Sequence, residues 1–216
     1  MVNKLPTKLY SAEAVARLDQ IAIKDYGIPG YTLMRRAGRA LIDIVQQHYP
    51  QAQSVLVLCG AGNNAGDGYV VARLAQARGF AVRVISMVNP DMLKGDARQA
   101  WQHWQECGET VPYQDGIALD ADIIIDALLG TGLAREVEGD WKALIHAVNE
   151  SAVPVIAVDI PSGLNADSGA ICGAAINAQR TVSFIGLKKG MFTGSGKACC
   201  GEIDFHDLVV PLPAYE

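Results

Sequence analysis

The chain has 216 residues, half of them hydrophobic, and a formal net charge of −5. This size allows one large core in a single domain, and the acidic balance without a basic block argues against a nucleic-acid partner or an anionic membrane surface. Five cysteines form no C-x-x-C pair, the N-terminus lacks an apolar signal core, and no apolar run is long enough to cross a bilayer. We therefore expect a cytoplasmic protein with reduced thiols.

Two helices are predicted before any strand. Ser11 is a suitable N-cap for a helix that carries Val15, Leu18 and Ala22 on one side, and Gly27–Gly30 ends it. A second helix follows and runs to about His48, which we interpret as a surface residue. Such helices cover a sheet face or form an oligomer contact, and the sequence leaves both alternatives open.

The first strand leads into a glycine-rich turn. An apolar run, Ser54 to Gly60, is followed by a turn over 61–68 and by a helical pattern from Tyr69 to Arg78. This is the first half of a βαβ unit, because a parallel strand covered on both faces is apolar throughout. The N-terminus of the following helix suits an anion such as a phosphate.

The glycines match the dinucleotide fingerprint only in part. Gly60, Gly62 and Ala65 have its spacing, but the next strand ends at Met87 without the acidic residue that holds the ribose, which argues against ordinary NAD binding. Asn63, Asn64 and Asp67 fit either turn and cap chemistry or a polar ligand site. Three such side chains among four glycines favour the ligand site.

The remaining elements alternate as expected for a parallel sheet. After the second strand we predict, in order, a helix over 94–107, an edge strand over 109–113, a strand over 121–128, a helix over 140–150, strands over 153–160 and 181–186, and an edge strand over 202–208. The fold class is α/β: a doubly wound, mostly parallel, Rossmann-like sheet in three α/β/α layers, with the two leading helices added. The expected strand order is 3-2-1-4-5-6, with the reversal between the strands at 54–60 and 121–128.

Polar side chains follow the predicted strands where they would meet at one sheet edge. They are Asn63, Asn64, Asp126, Asp159, Ser162 and Lys188. Each has a structural explanation alone, but several carboxylates placed together need a cation or bound donors to offset their repulsion. The positions lack His and Cys, which argues against zinc, and their oxygens suit either a monovalent ion or magnesium.

Four segments in this order resemble a known family. They are Gly62–Gly68, Asp126–Gly132, Asp159–Leu164 and the region of Lys188, and together they resemble the NAD(P)H-hydrate epimerase family, the YjeF amino-terminal domain. The resemblance covers nearly the whole chain. One departure is Ala65, where the family has glycine.

The resemblance implies an isomerase that interconverts the R and S epimers of hydrated NADH and NADPH in nicotinamide nucleotide repair. It implies that Asp159 is the acid-base residue with Lys188 close by, and that Asn64, Asp126 and Ser162 bind a potassium ion. The implied substrate-binding residues, with the helix N-terminus at Gly66 near the phosphates, are Asn63, Asn64, Ala65, Gly66, Asp67, Gly130, Thr131, Gly132, Leu133, Ala134, Arg135, Glu136 and Asp159. It also suggests a homodimer and, in some members, fusion to a carboxyl-terminal dehydratase domain.

Other interpretations stay open at this point. A non-catalytic nucleotide sensor or scaffold could use the same fold, and a reductase or transferase could bind an intact dinucleotide. We expect residues 1–216 to form one epimerase domain with a linker-like tail over 209–216. The sequence leaves open whether the chain is complete or truncated, and whether it prefers the hydrate of NADH or of NADPH.

Overall fold

The apolar runs of the sequence form the strands of one parallel sheet in a computed structural model, which describes residues 5–211 and residue 214. The last residues of the expected tail, 212, 213, 215 and 216, lie outside this part. The described residues form the strands and helices β1 (Leu9–Tyr10), α1 (Ala12–Lys24), α2 (Gly30–His48), β2 (Ser54–Cys59), α3 (Asn63–Ala77), β3 (Ala81–Ser86), α4 (Gly95–Gln105), β4 (Thr110–Pro112), β5 (Ile123–Ala127), α5 (Gly139–Glu150), β6 (Val155–Val158), β7 (Arg180–Phe184), β8 (Leu187–Lys188), α6 (Gly196–Cys200) and β9 (Glu202–His206).

The main sheet confirms the predicted strand order. Its seven strands run β4-β3-β2-β5-β6-β7-β9, and every neighbouring pair is parallel. The order reverses between β2 and β5, where Leu58 lies opposite Asp126. Strands β4 and β9 form the edges, as predicted from Pro112 and from the position of the last strand. The carboxyl ends of β2, β5 and β6 therefore lie side by side.

Alternate residues of each strand pack into the two helical layers. Val55 and Val57 of β2 face the core cluster shared with α2, α3 and α4, whereas Leu56 and Leu58 face the cluster shared with α5. Trp101 and Trp104 are buried in the first cluster, and α2 covers that face of the sheet. His48 is exposed, as predicted.

The start of α3 corrects one prediction. The helix begins at Asn63, six positions before Tyr69, and the glycines at 66 and 68 are helical. They serve close packing, since a Cβ on Gly66 would lie 2.5 Å from Met34 Cε and a Cβ on Gly68 would lie 2.6 Å from Ala127 Cβ. The glycine-rich stretch thus brings the helix tightly against the sheet and α2.

A second, two-stranded sheet was not foreseen. Strand β1 pairs in parallel with β8, which places Tyr10 opposite Lys188. Two-residue strands have no periodic signal in a sequence. This pairing joins the segment before α1 to the segment after β7, so that α1 lies near the carboxyl ends of the strands.

The described residues include no helix that is both long and apolar enough to cross a membrane. All five cysteines are free thiols, and Cys59, Cys199 and Cys200 are buried.

Candidate active site

A cleft of about 640 Å³ lies over the reversal in strand order. Open α/β sheets bind ligands at this position, outside the carboxyl ends of the strands. Helix α1, the start of α3, the segment after β5 and the residue after β6 all line it. The predicted site residues that it brings together are Asn63, Asn64, Asp67, Gly130, Thr131, Gly132, Leu133, Ala134, Arg135 and Asp159.

Asp159 and Lys188 form an ion pair at the wall of this cleft. The Lys188 side chain is fully buried, whereas that of Asp159 is 19% exposed. Lys188 Nζ donates to Asp159 Oδ1, to Ser183 Oγ at 3.0 Å and to the Phe184 carbonyl oxygen at 3.2 Å. These three acceptors use all three donors of the ammonium group. The buried cation is therefore satisfied inside the protein and fixes the Asp159 carboxylate from behind.

The backbone turns sharply at this pair. Asp159 has a φ of 67° and Ile185, after the neighbouring strand, has a φ of 61°. Both residues keep a bond to the next strand, since Asp159 N donates to the Val182 carbonyl at 2.9 Å and Ile185 N to that of His206 at 3.0 Å. Left-handed conformations cost about 1–3 kcal/mol each outside glycine. The surrounding sheet thus holds Asp159 in a conformation that an isolated peptide would avoid.

Asp126 lies deeper, beneath the segment that follows β5. Its carboxylate accepts hydrogen bonds from Ser162 N at 2.8 Å, Ser162 Oγ at 2.5 Å and Leu128 N at 3.2 Å. Burial raises the pKa of this carboxyl to about 6, and the bonds from Ser162 and Leu128 oppose the rise. No Lys, Arg or His of residues 5–211 pairs with it. Within the described residues, Asp126 is therefore a buried carboxyl group held by neutral donors alone.

Two of the three residues expected to bind a cation, Asn64 and Ser162, contact the Leu129 peptide, and the third, Asp126, is bonded to Ser162. Asn64 Nδ2 donates to the Leu129 carbonyl at 3.2 Å, and Ser162 Oγ lies 2.8 Å from Leu129 N and 3.2 Å from that carbonyl. Within the described part of the chain, no three His, Cys, Asp or Glu side chains group closely enough to hold a metal ion. The donor set is one carboxylate with amide, hydroxyl and carbonyl oxygens, which suits a hard ion of low charge.

Some predicted substrate-binding residues lie outside the cleft. The Ala65 side chain is fully buried in the core, and Glu136 lines an adjoining cavity with Leu129 and Trp141. The helix N-terminus is not at Gly66, because Gly66 N already donates to the Gly62 carbonyl at 3.2 Å. The N–H groups without a helical partner are instead those of the first turn, from Asn63.

Asp19 lines the same cleft and was absent from the predicted site. Burial and the nearby Asp159 carboxylate raise its pKa to about 6, and Lys188 opposes the rise. A weak signal exists in the sequence: Val15, Leu18 and Ala22 form the apolar side of α1, and Asp19 occupies the i+4 position of that stripe. A carboxylate on the buried stripe of a helix needs a polar environment, which the cleft supplies.

Charge in the cleft is unequally distributed. Burial, followed by Asp159 and Asp19, raises the pKa of Asp67 well above its usual range. Among the described residues that line the cleft, Arg135 is the only basic one, and it lies in the segment after β5. An anionic group of a ligand therefore has its two favourable positions at Arg135 and at the first turn of α3.

Comparison with known proteins identifies relatives of this chain. A family model described as YjeF-related protein N-terminus matches residues 30–190. A protein named NAD(P)H-hydrate epimerase from Bordetella pertussis is 44% identical over 86% of this chain and 82% of its own length. One of the same name from Limosilactobacillus fermentum is 39% identical over 86% of this chain and 89% of its own length.

Longer relatives share the same region. A bifunctional NAD(P)H-hydrate repair enzyme, Nnr, from Coxiella burnetii is 40% identical over 91% of this chain, which spans only 40% of that relative. The corresponding enzyme of Escherichia coli is also 40% identical, and the chain again spans 40% of its length. The crystal structure of yeast ynu0 has the same fold, with a TM-score of 0.76 at 22% identity over 86% of this chain and 83% of that one.

Proposed function

The chain belongs to the family described as YjeF-related protein N-terminus, and on this premise we propose that it is an isomerase, an NAD(P)H-hydrate epimerase. It would interconvert the R and S epimers of hydrated NADH and NADPH and so take part in nicotinamide nucleotide repair. Relatives of similar length carry this name. The observation that carries the proposal is the Asp159 carboxylate, fixed by buried Lys188 at the wall of a cleft that Arg135 and the first turn of α3 also line.

The cleft suits a dinucleotide. The first turn of α3 at Asn63 presents free N–H groups, and Arg135 supplies a positive charge from the segment after β5. Both favour the pyrophosphate. Asp159 lines the same cleft, so the nicotinamide end would lie against it while the phosphates are held on the side of α3 and Arg135.

The reaction needs a negative charge at the ring. The damaged ring carries a hydroxyl group on C6, next to the ring nitrogen. Loss of water gives a cation stabilised by that nitrogen, and addition of water to the other face gives the other epimer. A fixed carboxylate stabilises such a cation, because its orientation costs nothing during the reaction. Asp159 has this arrangement, and no redox step or covalent nucleophile is needed.

A potassium ion is part of the proposal, with Asn64, Asp126 and Ser162 as its ligands. The supporting observation is the buried Asp126 carboxylate, which has only neutral donors. When bound, the ion would neutralise this charge and order the segment around Leu129 that borders the cleft. The homodimer and any second, dehydratase domain stay predictions.

The test follows the pure R epimer of hydrated NADPH by chromatography, with the chain in potassium buffer and again in a buffer of choline. We expect interconversion faster than the spontaneous rate, reduced without potassium. Serum albumin at equal concentration controls for general protein effects. An unchanged spontaneous rate in both buffers, with ADP-ribose still binding, would instead support the nucleotide sensor or scaffold.

A further inference from the structure

Asp19 is a carboxyl group of the cleft to which no described N–H or O–H group donates, as is also true of Asp67. It is partly buried on α1 and lines the cleft together with Asp67 and Asp159. Within residues 5–211, no N–H or O–H group donates to its side chain, although Asp159 lies close enough to affect its charge. Asp19 is therefore free to exchange a proton with a bound molecule.

Asp159 is held in a way that opposes this exchange. Its Oδ1 accepts from Lys188 Nζ and from Phe184 N at 3.0 Å. An ammonium group with 0% exposure stabilises the ionised carboxylate next to it. Asp159 is thus held in place by two donors of the protein, one of them a buried cation, and it lines the cleft as a fixed, ion-paired carboxylate.

Two other acids, Asp67 and Asp96, lie near Asp19 and the Asp159–Lys188 pair. Burial, followed by Asp159 and Asp19, raises the pKa of Asp67, on α3, well above its usual range. Asp96, on α4, lines an adjoining cavity that Asp19 also reaches. Burial and Asp159 raise the pKa of Asp19 to about 6, which brings its titration close to neutral pH.

We propose that Asp19 is a catalytic residue that carries the proton in epimerisation, while Asp159 serves as the fixed anion. This inference rests on the proposed function and goes beyond it, because it divides between two residues the role first expected of Asp159 alone.

The steps balance as general acid and base catalysis. The Asp19 carboxyl donates its proton to the C6 hydroxyl oxygen, and the C6–O bond breaks with its electron pair, releasing water. The lone pair of N1 forms the C6=N1 double bond, and Asp159 stabilises the resulting cation. Water then adds to the opposite face, the π electrons return to N1, and the added water loses a proton to solvent in the cleft, from which the Asp19 carboxylate regains the proton that it donated. General acid catalysis of this kind contributes about 100- to 10,000-fold to a rate.

The experiment measures the rate of epimerisation of hydrated NADH between pH 5 and 8.5, after subtraction of the spontaneous rate. It compares the unchanged chain with Asp19→Asn, Asp19→Glu and the control Glu13→Gln, which removes an exposed carboxylate from the same helix. For the unchanged chain and the control, we expect kcat to fall as the pH rises through about 6, because the protonated acid is lost. Asp19→Asn should lose about 100-fold or more in kcat and no longer show this decline, while Asp19→Glu should keep the decline at a lower rate.

The outcomes separate this inference from the proposed function. Asp19→Asn with kcat within threefold of the unchanged chain and the same pH profile would overturn the role of Asp19 and leave the epimerase in place. If the unchanged chain does not accelerate the reaction, both proposals fail. Circular dichroism shows whether Asp19→Asn is folded. If it is not, the inference depends on Asp19→Glu, and a profile without the decline near pH 6 in that variant overturns it.

Discussion

Two carboxylates end neighbouring strands of the sheet and are stabilised in opposite ways. Asp126, in β5, is fully buried among neutral donors from Ser162 and Leu128. Asp159, directly after β6, is paired with a buried ammonium group of the same chain and lines the cleft. The protein therefore supplies the counter-charge of Asp159 itself, whereas Asp126 has only neutral donors among the described residues. On the proposed function, Asp159 would face the substrate cation and Asp126 would bind the potassium ion.

The largest effect is expected from removing the anion of the ion pair. Asp159→Asn leaves the buried ammonium group of Lys188 unpaired, which should lower the free energy of unfolding by about 3–5 kcal/mol. Epimerisation should fall at least about 100-fold, because the developing cation loses its stabilising charge. Urea unfolding followed by the fluorescence of the buried tryptophans measures the first effect.

Lys188→Met is the matched control for this variant. It leaves behind a carboxylate that is 19% exposed and still reached by water, so it should destabilise less than Asp159→Asn. The double variant should be more stable than Asp159→Asn alone, because no unpaired buried charge remains. An equal fall in the free energy of unfolding in the two single variants would contradict the expectation that the unpaired buried ammonium group costs more than the unpaired carboxylate.

Close packing at the end of β2 protects the surroundings of Asp126. A Cβ on Gly60 would lie 1.8 Å from the Leu128 carbonyl oxygen, whereas a Cβ on Gly62 would meet no atom within 4 Å. Gly60→Ala should therefore destabilise the protein by about 1–3 kcal/mol and displace the segment that holds Asp126. Gly62→Ala should stay within about 0.5 kcal/mol of the unchanged chain in the same urea experiment. Similar urea midpoints for Gly60→Ala and Gly62→Ala would show that the close contact at Gly60 does not determine stability.

Asp19 makes the cleft sensitive to pH. Its pKa is raised from 3.8 to about 6 by folding, so the folded state binds more protons than the unfolded chain between these values. The contribution of Asp19 to stability is thus complete below about pH 4 and is lost as the pH rises through 6. The free energy of unfolding of the unchanged chain, relative to Asp19→Asn, should fall by about 1–2 kcal/mol from pH 4 to pH 7, since water partly reaches this carboxyl group. A constant difference across this range would contradict the raised pKa.

The smallest expected effect tests whether potassium binds at Asp126. Potassium at about ten times its dissociation constant should stabilise the protein by about 1.4 kcal/mol, measured as a rise in Tm over choline at equal ionic strength. Asp126→Asn, with its carboxylate replaced by a neutral amide of the same shape, should lose this rise. A Tm that rises equally in both proteins would show that potassium acts elsewhere.

The sequence predicts the sheet well because each buried parallel strand is a continuous apolar run. The strands at 54–59 and 123–127 and the reversal between them follow from this pattern. The predicted start of α3 was wrong because glycine favours turns locally. Only the packing of Gly66 and Gly68 against other elements shows why these residues are helical.

The candidate site was predictable only where it follows strands. Asp126 and Asp159 were identified by their place at strand ends, whose common edge is a property of the topology. Asp19 lies on a helix, and its approach to Asp159 depends on how α1 packs over the sheet. The full burial of Lys188 depends likewise on the pairing of β1 with β8, which no local pattern indicates.

The pairing of β1 with β8 also has a consequence for synthesis of the chain. The ion pair at the cleft needs Asp159 from the middle of the sheet and Lys188 from the segment that pairs with Tyr10. During translation the first strands and helices can form early, since domains fold as the chain emerges. The ion pair is completed only after residue 188 has left the ribosome, so the Asp159 carboxylate gains its buried partner late in synthesis, after the residues that line the cleft have been made.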